Sequence, residues 1–263
     1  MHYTKKLIKC YTFPMLKTAI DAAKEGAKIA STYFNNPLDV KRKENESPVT
    51  IADIETEKII RQIISKKFPD HGFIGEELGS INPKAKYQWA IDPIDGTRAY
   101  IRGIPQWCVL VAVLENNKPI VGVCYYPEQS DLFTAQKGEG AFLNGKKTKV
   151  SSVKNLNEAY ISYYNLKHFA RLGKINNLVD LIQKTNTSMN YASFCMNYFL
   201  KGKVDAYVCG HGLLWDFAAL AILTEEAGGI YSDFSGEKSF ISESMIFANK
   251  HLHNQVLNIL NNE

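Results

Sequence analysis

Two patterns of apolar positions alternate along the chain and predict a mixed α/β protein. Small and apolar residues recur every three or four positions in three segments, which is typical of amphipathic helices. The predicted helices are 13–34, from 52 or 53 to 68, and 213–227. Between them lie short segments in which apolar residues alternate with polar ones or form continuous runs, and these patterns indicate strands. The predicted strands are 73–77, 87–91, 107–115, 119–126, 131–136 and 141–143.

The second half of the chain carries weaker patterns. They favour strands at 160–164, 204–209 and 245–248, and helices at 172–184, 191–201 and from 250 onward. No internal repeat and no linker long enough to separate independent domains is visible in the sequence. We therefore expect one domain over 1–263, formed by two closely packed lobes that span roughly 1–150 and 151–263.

Composition and charge narrow the classes of function. The 263 residues include 31 Lys and Arg against 27 Asp and Glu, a formal net charge of +4, and no long basic run. This weak and scattered charge argues against a nucleic-acid partner. Five cysteines lie far apart without metal-knuckle or redox spacing, which is typical of a reducing compartment. We expect a cytoplasmic protein that does not enter a membrane, because no signal-peptide pattern is visible and the longest apolar run, 107–114, is too short to span a bilayer.

The strongest candidate for chemistry is the segment that follows the second predicted strand. Asp92 is expected to begin a turn, because Pro93 cannot donate a hydrogen bond inside a central strand. Gly96 supplies backbone freedom, and Thr97 is suited to cap a following helical turn. Asp92 and Asp95 would repel each other, and a hard divalent cation such as Mg²⁺ would remove that repulsion. The alternative is an ordinary polar turn without a ligand.

Three further acids share one kind of position. Asp53 and Asp216 lie in the first turns of predicted helices, and Glu76 lies at the end of a predicted strand beside Glu77. Each has a purely structural explanation, because helix N-termini favour anions and acidic turns are often solvated. Adjacent residues of a strand point to opposite faces, so at most one of the two glutamates would enter a given site. Spacing alone does not show whether these acids converge, and His211, beside two glycines, is assigned no role.

Several motifs occur in a fixed order from about residue 15 to 250. The main ones are Trp89-Ala90-Ile91-Asp92-Pro93-Ile94-Asp95-Gly96-Thr97 and Trp215-Asp216-Phe217-Ala218-Ala219, the latter followed by Glu226-Ala227-Gly228-Gly229. Supporting matches are Ser47-Pro48-Val49-Thr50 with Ala52-Asp53, Gly75-Glu76-Glu77, and the run from Gly138 to Gly145. In these motifs and their order the chain resembles the inositol monophosphatase family of Mg²⁺-dependent, lithium-sensitive phosphatases.

The resemblance implies a fold and a set of residue roles. The implied fold is of the α/β class, a layered αβαβα sandwich, and family members are usually dimers, so a homodimer is expected. Two or three Mg²⁺ ions would be held by Glu76, Asp92, Asp95, Asp216 and the backbone carbonyl of Ile94.

The resemblance also assigns roles in catalysis and substrate binding. Thr97 would position the attacking water, with Asp53 as its hydrogen-bonding partner and Glu76 as a further catalytic group. The amides of Gly96 and Thr97 would hold the phosphate, which agrees with the preference of anions for unpaired amides at a helix N-terminus. The other implied substrate contacts are Asp95, Asp216 and the position of Cys209.

The implied activity is hydrolysis of a small phosphorylated metabolite similar to inositol monophosphate. A metal-activated water would attack in line, without a covalent phosphoenzyme. The run from Thr97 to Pro105 is more similar to histidinol-phosphate phosphatases than to animal inositol phosphatases. A 3′-phosphoadenosine or sugar bisphosphatase is a further alternative that would use the same chemistry. Family members commonly carry a substrate-binding glutamate where this chain has Cys209, so the substrate stays open. The non-enzymatic alternative is a regulatory binding protein on the same fold.

Overall fold

The computed structural model describes residues 14–43, 48–191 and 194–262. The first two periodic segments form the helices α1 (Pro14–Tyr33) and α2 (Ile51–Lys67), as predicted. Between them, β1 (Lys41–Arg42) and β2 (Pro48–Val49) form a two-stranded antiparallel pair. Phe13 at the predicted start of α1, Cys10 and the motif residue Ser47 lie outside the described residues.

Eight strands form a large sheet. They are β3 (Gly72–Gly75), β4 (Gly79–Ile81), β5 (Tyr87–Asp95), β6 (Cys108–Glu115), β7 (Lys118–Tyr126), β8 (Asp131–Gln136), β9 (Gly140–Leu143) and β10 (Lys146–Lys147). Their spatial order is β10-β9-β8-β7-β6-β5-β3-β4. All neighbours are antiparallel except β3 and β5, which run parallel.

Five later strands form a second sheet. They are β11 (Tyr160–Tyr164), β12 (Thr187–Met189), β13 (Ala206–Cys209), β14 (Gly229–Ser232) and β15 (Met245–Asn249), in the spatial order β12-β11-β13-β15-β14. β11 runs parallel to both of its neighbours, and the other pairs are antiparallel. The remaining helices are α3 (Thr97–Tyr100), α4 (Leu166–Arg171), α5 (Ile175–Gln183), α6 (Cys195–Leu200), α7 (Leu214–Glu226) and α8 (His253–Asn261).

The elements stack in five layers, which confirms the predicted αβαβα sandwich. Alternate residues of β5 face opposite cores: Trp89 and Ile91 pack beneath α1 and α2, whereas Ala90 packs beneath α7. Helix α7 is buried on nearly all sides from Phe217 to Thr224, because it lies between the two sheets. Helices α4, α5 and α8 cover the outer face of the second sheet.

Six of the described strands were not predicted from the sequence. They are two to four residues long, and each lies at an edge of its sheet: β1, β2, β4, β10, β12 and β14. An edge strand is held by one neighbour, so a short one leaves little periodic signal. The helix predicted at 172–184 is also wrong in its bounds, because the chain forms α4 first, turns at Gly173 and then forms α5.

The change from one sheet to the other occurs between residues 147 and 160. Since α7 packs in the core that both sheets share, we propose two lobes within one domain rather than two independent domains. None of the helices in the described ranges combines the length and the apolar character needed to cross a lipid bilayer.

Candidate active site

A cavity of about 220 Å³ opens where the ends of β5, β11 and β13 meet the first turns of α3 and α7. The predicted site residues that line it come from widely separated parts of the sequence. They are Glu76, Asp92, Ile94, Asp95, Gly96, Thr97, Cys209 and Asp216. Asp53 is fully buried and is not among the lining residues.

Strand β5 continues past the point where the sequence analysis ended it. It passes through Pro93 to Asp95, and its register against β6 shifts between Asp92 and Asp95. Pro93 has no N–H to donate, so the ladder skips a residue there and forms a bulge. The amide of Ile94 donates instead to the Asp92 carboxylate at 3.1 Å. The bulge sets both aspartates at the end of the strand.

Gly96 turns the chain from β5 into α3. Its φ of 95° lies in the left-handed region, and a Cβ atom there would lie 2.8 Å from the carbonyl oxygen of Gln106. Both restrictions require glycine. Gly96 is the N-cap of α3, which corrects the expectation that Thr97 caps this turn. The Thr97 hydroxyl donates to the carbonyl of Ile94 at 3.1 Å and lies 3.5 Å from Oδ1 of Asp53.

Asp53 holds the start of α2 from behind the cavity. The N-cap of α2 is Thr50, not Asp53, and Asp53 closes a capping box by accepting the Thr50 amide at 2.8 Å. The Thr50 hydroxyl also donates to Asp53, at 2.7 Å. Burial raises the pKa of Asp53, and the bonds from Thr50 oppose that shift. The capping role is therefore real, and the contact with Thr97 is added to it.

Three aspartates converge in the cavity. Asp92 and Asp95 end β5, and Asp216 lies in the first turn of α7, where its Oδ2 accepts the amide of Leu213 at 2.6 Å. One carboxylate oxygen from each aspartate lies within 4.8 Å of the others. Burial, followed by the neighbouring charge of Asp95, raises the pKa of Asp216 to about 8. Burial and the nearby Glu76, Asp95 and Asp216 raise the pKa of Asp92 well above its usual value.

The donor set of this cluster fits a hard divalent cation. All three side chains offer carboxylate oxygens, which are the ligands that Mg²⁺ prefers, and the cavity beside them leaves room for water and a phosphate. The raised pKa values of Asp92 and Asp216 indicate that negative charge is unfavourable here without a counter-charge. The carbonyl of Ile94 faces the same turn, where it accepts the Thr97 hydroxyl.

Glu76 belongs to the same cavity but has a different partner. Strand β3 ends at Gly75, so Glu76 and Glu77 lie in the following turn and not in the predicted strand. Both carboxylates accept the ammonium group of Lys43, at 2.8 Å and 2.7 Å respectively. Only Glu76 lines the cavity, so the expectation that at most one of the two glutamates enters the site holds, although neither residue lies in a strand. Lys43 was missed because it lies in a cluster of basic residues typical of a solvated loop.

A buried ion pair supports this acidic turn. Glu57 is fully buried in α2, accepts the amide of Glu77 at 2.7 Å and pairs with Arg61 one turn further along the helix. A Cβ atom on Gly75 would lie 1.9 Å from the Glu57 carboxylate, so only glycine fits there. The sequence analysis also missed Glu57. The Glu57–Arg61 spacing of four residues was its only signal, and that spacing is common on exposed helices.

Another wall of the cavity is formed by the second sheet and the segments next to it. It contains Tyr164 of β11, His168 of α4, Cys209 of β13 and His211 of the following loop, and His211 was assigned no role from the sequence. Cys209 is 3% exposed, and its thiol donates to the carbonyl of His211 at 3.0 Å. Burial raises the pKa of this thiol to about 12, so it stays protonated at neutral pH.

Known proteins are similar to this chain over nearly its whole length. The model of the inositol monophosphatase family matches residues 13–263. A histidinol-phosphatase of Chlorobaculum parvum is 33% identical over 253 residues, which cover 95% of this chain and 97% of that protein. The Nus factor SuhB of Escherichia coli is 32% identical over 246 residues, which cover 89% of this chain and 91% of that protein.

The fold has solved counterparts of similar length. The IMPase of Thermotoga maritima superimposes with a TM-score of 0.86 at 29% identity. The match covers 94% of this chain and 96% of that structure.

Proposed function

Because the chain belongs to the inositol monophosphatase family, we propose that it is a Mg²⁺-dependent phosphomonoesterase that hydrolyses a small phosphorylated metabolite. The observation that carries the proposal is the meeting of Asp92, Asp95 and Asp216, whose oxygens lie within 4.8 Å of one another. An acid cluster that is costly without a cation is explained by a role in binding one.

The proposed metal ligands are the three aspartates, Glu76 and the carbonyl of Ile94. When bound, two or three Mg²⁺ ions would offset the charge of the phosphate and make a coordinated water a better nucleophile. For Glu76 to serve as a ligand, its ion pair with Lys43 must open or be shared. Glu77, which is bound to the same ammonium group, would then keep Lys43 nearby.

The other residues would position the reactants. Thr97 would hold the attacking water with its hydroxyl. The Asp53 carboxylate, 3.5 Å from that hydroxyl, would accept its hydrogen bond. The amides at Gly96 and Thr97 would bind the phosphate, because the left-handed turn at Gly96 brings the backbone to the floor of the cavity. Asp95, Asp216 and the wall around Cys209 would contact the rest of the substrate.

A histidinol phosphate substrate is the second candidate. The 33% identity to a histidinol-phosphatase over nearly the whole chain favours it, together with the similarity of the run from Thr97 to Pro105.

Cys209 cannot bind a hydroxyl or an amine as a glutamate does, because a thiol is a weak donor and a weak acceptor. We propose a relaxed preference among small phosphate monoesters.

A phosphate-release assay tests the proposal. The purified protein is incubated with Mg²⁺ and a panel of inositol phosphates, histidinol phosphate, bisphosphonucleotides and sugar phosphates, with EDTA as the metal-free control. We expect release from at least one monoester that disappears with EDTA and returns with Mg²⁺. Absence of release from the whole panel by the folded protein would favour a regulatory binding protein, as the similarity to Nus factor SuhB also suggests.

We further propose that the protein acts as a cytoplasmic homodimer. Its family supports the dimer, and the four free, buried cysteines among the described residues support a reducing compartment. Light scattering of the purified protein checks the oligomeric state.

A further inference from the structure

A second group of side chains that could hold a metal ion lies beside the cavity, which His168 and His211 line. His168 comes from α4, His211 from the loop after β13, and Glu243 from the loop before β15. One ring nitrogen or carboxylate oxygen from each lies within 4.8 Å of the others. The two imidazole rings stack with their centroids 4.0 Å apart.

One ring nitrogen of this group has no hydrogen-bond partner in the described part of the chain and could therefore bind a metal ion. Nδ1 of His211 is buried, has no hydrogen-bond partner among the described residues, and lies 3.6 Å from Oε2 of Glu243. A buried imidazole nitrogen without a partner is unfavourable, so a ligand that binds it would stabilise the site.

We propose that His168, His211 and Glu243 bind a borderline divalent cation such as Zn²⁺, at a site separate from the three aspartates. Imidazole nitrogens suit zinc, whereas Mg²⁺ prefers the all-oxygen set of the aspartates. Two histidines and one glutamate are a ligand set that zinc uses with a fourth position left to water.

The geometry requires a small adjustment on binding. Ligand atoms of one zinc ion lie about 2.0–2.1 Å from the metal and so within about 4 Å of one another. The distances between the three ligand atoms, now up to 4.8 Å, must therefore shorten by less than about 1 Å. The rings are nearly parallel, with 13° between their planes, so one must turn for both lone pairs to converge. The side chains of His211 and Glu243 are 33% and 67% exposed, which leaves them room to move.

The position of this site gives bound zinc an inhibitory role. His168 and His211 line the same cavity as Asp95 and Asp216, so an ion and its water there would occupy space that the leaving group needs. This inhibitory role rests on the proposed phosphatase activity, whereas the binding site itself does not.

Isothermal titration with Zn²⁺ in saturating Mg²⁺ tests the site directly. We expect one zinc equivalent per chain that His168→Ala, His211→Ala and Glu243→Gln weaken at least about 10-fold, the usual minimum for a lost metal ligand or its support. His251→Ala is the matched control, because His251 lies outside the cluster. Asp95→Asn should keep this zinc equivalent. Glu243→Gln, at an exposed position, guards against a histidine variant that fails to fold.

The outcomes separate the two parts of the inference. Absence of a zinc equivalent under saturating Mg²⁺, or equal binding by the variants of all three ligands, overturns the site. Loss of the equivalent in Asp95→Asn also overturns it, because the zinc would then occupy the aspartate cluster. Zinc that binds to the wild type without lowering its turnover overturns the inhibitory role alone. Absence of turnover with zinc binding intact argues against the proposed phosphatase and leaves the site in place.

Discussion

Replacement of Asp95 by asparagine tests the aspartate cluster. The change keeps the size of the side chain and removes one charge from a group whose oxygens lie within 4.8 Å of those of Asp92 and Asp216. At that separation two unit charges interact by roughly 3 kcal/mol at an effective dielectric constant of about 20, and a dication is attracted about twice as strongly. If the cost of desolvation offsets half of that attraction, removing the Asp95 charge loses about 3 kcal/mol of the stabilisation that the metal gives to the transition state. A barrier higher by that amount corresponds to a rate about 100-fold lower. We expect Mg²⁺-dependent turnover to fall by at least about 100-fold.

The assay combines phosphate release across a Mg²⁺ titration with thermal melting in EDTA. The metal-free variant should melt no lower than the wild type, because burial and the charge of Asp95 already raise the pKa of Asp216 to about 8, which marks negative charge there as unfavourable. Asp39→Asn, at an exposed position, is the control and should change neither measurement. Near-normal turnover of folded Asp95→Asn at saturating Mg²⁺ would refute the assignment.

Three further substitutions test other parts of the site and the fold. Thr97→Ala should lower kcat but leave the Mg²⁺ concentration for half-activation roughly unchanged, since the hydroxyl is proposed to hold the attacking water and is not itself a metal ligand; recovery of activity by added Mg²⁺ would contradict this role. Cys209→Glu should sharpen selection for inositol monophosphate or an amine-bearing substrate, mainly through KM. It should also lower the melting temperature somewhat, because the position is 3% exposed. A lower melting temperature without a gain in selectivity would show that Cys209 is only a packing residue. Glu226→Ala should lower the free energy of unfolding by about 1 kcal/mol and Tm by about 2–4 °C, since it loses two bonds to the amides of Gly138 and Gly140. Glu225→Ala, which loses only an ion pair with the exposed Lys238, should change Tm by less, and equal shifts would show that the two amide bonds are not stabilising.

The repeating patterns of the chain determined most of its secondary structure. Strands 131–136 and 160–164 have the predicted bounds, and the predicted strands 107–115 and 119–126 form β6 and β7, which pair as a hairpin. These elements depend on local alternation of side chains and on turn residues that adopt positive φ, as Asn116 and Asn117 do. Helix α7 could also be predicted from the sequence, because its run of apolar residues ends at Gly228, which adopts a positive φ.

The motifs determined the family and, through it, the layered fold. Their order could be recognised without any coordinates, since each motif is a local string of residues. The structure adds the reason that two of them occur together: the Glu226 carboxylate binds the amides of Gly138 and Gly140, so the motif that ends α7 secures the turn before β9.

Only the tertiary structure decided which acids meet. Asp92 and Asp216 are separated by more than 120 residues, and the packing of α7 between the two sheets brings them together. The bulge at Pro93 also involves a separate segment, because it is a shift in the register of β5 against its neighbour β6. Lys43 and His211 could not be assigned from sequence, since both resemble ordinary loop residues there. Contacts between distant segments are fixed by the sum of many packing interactions, so a local pattern carries no information about them.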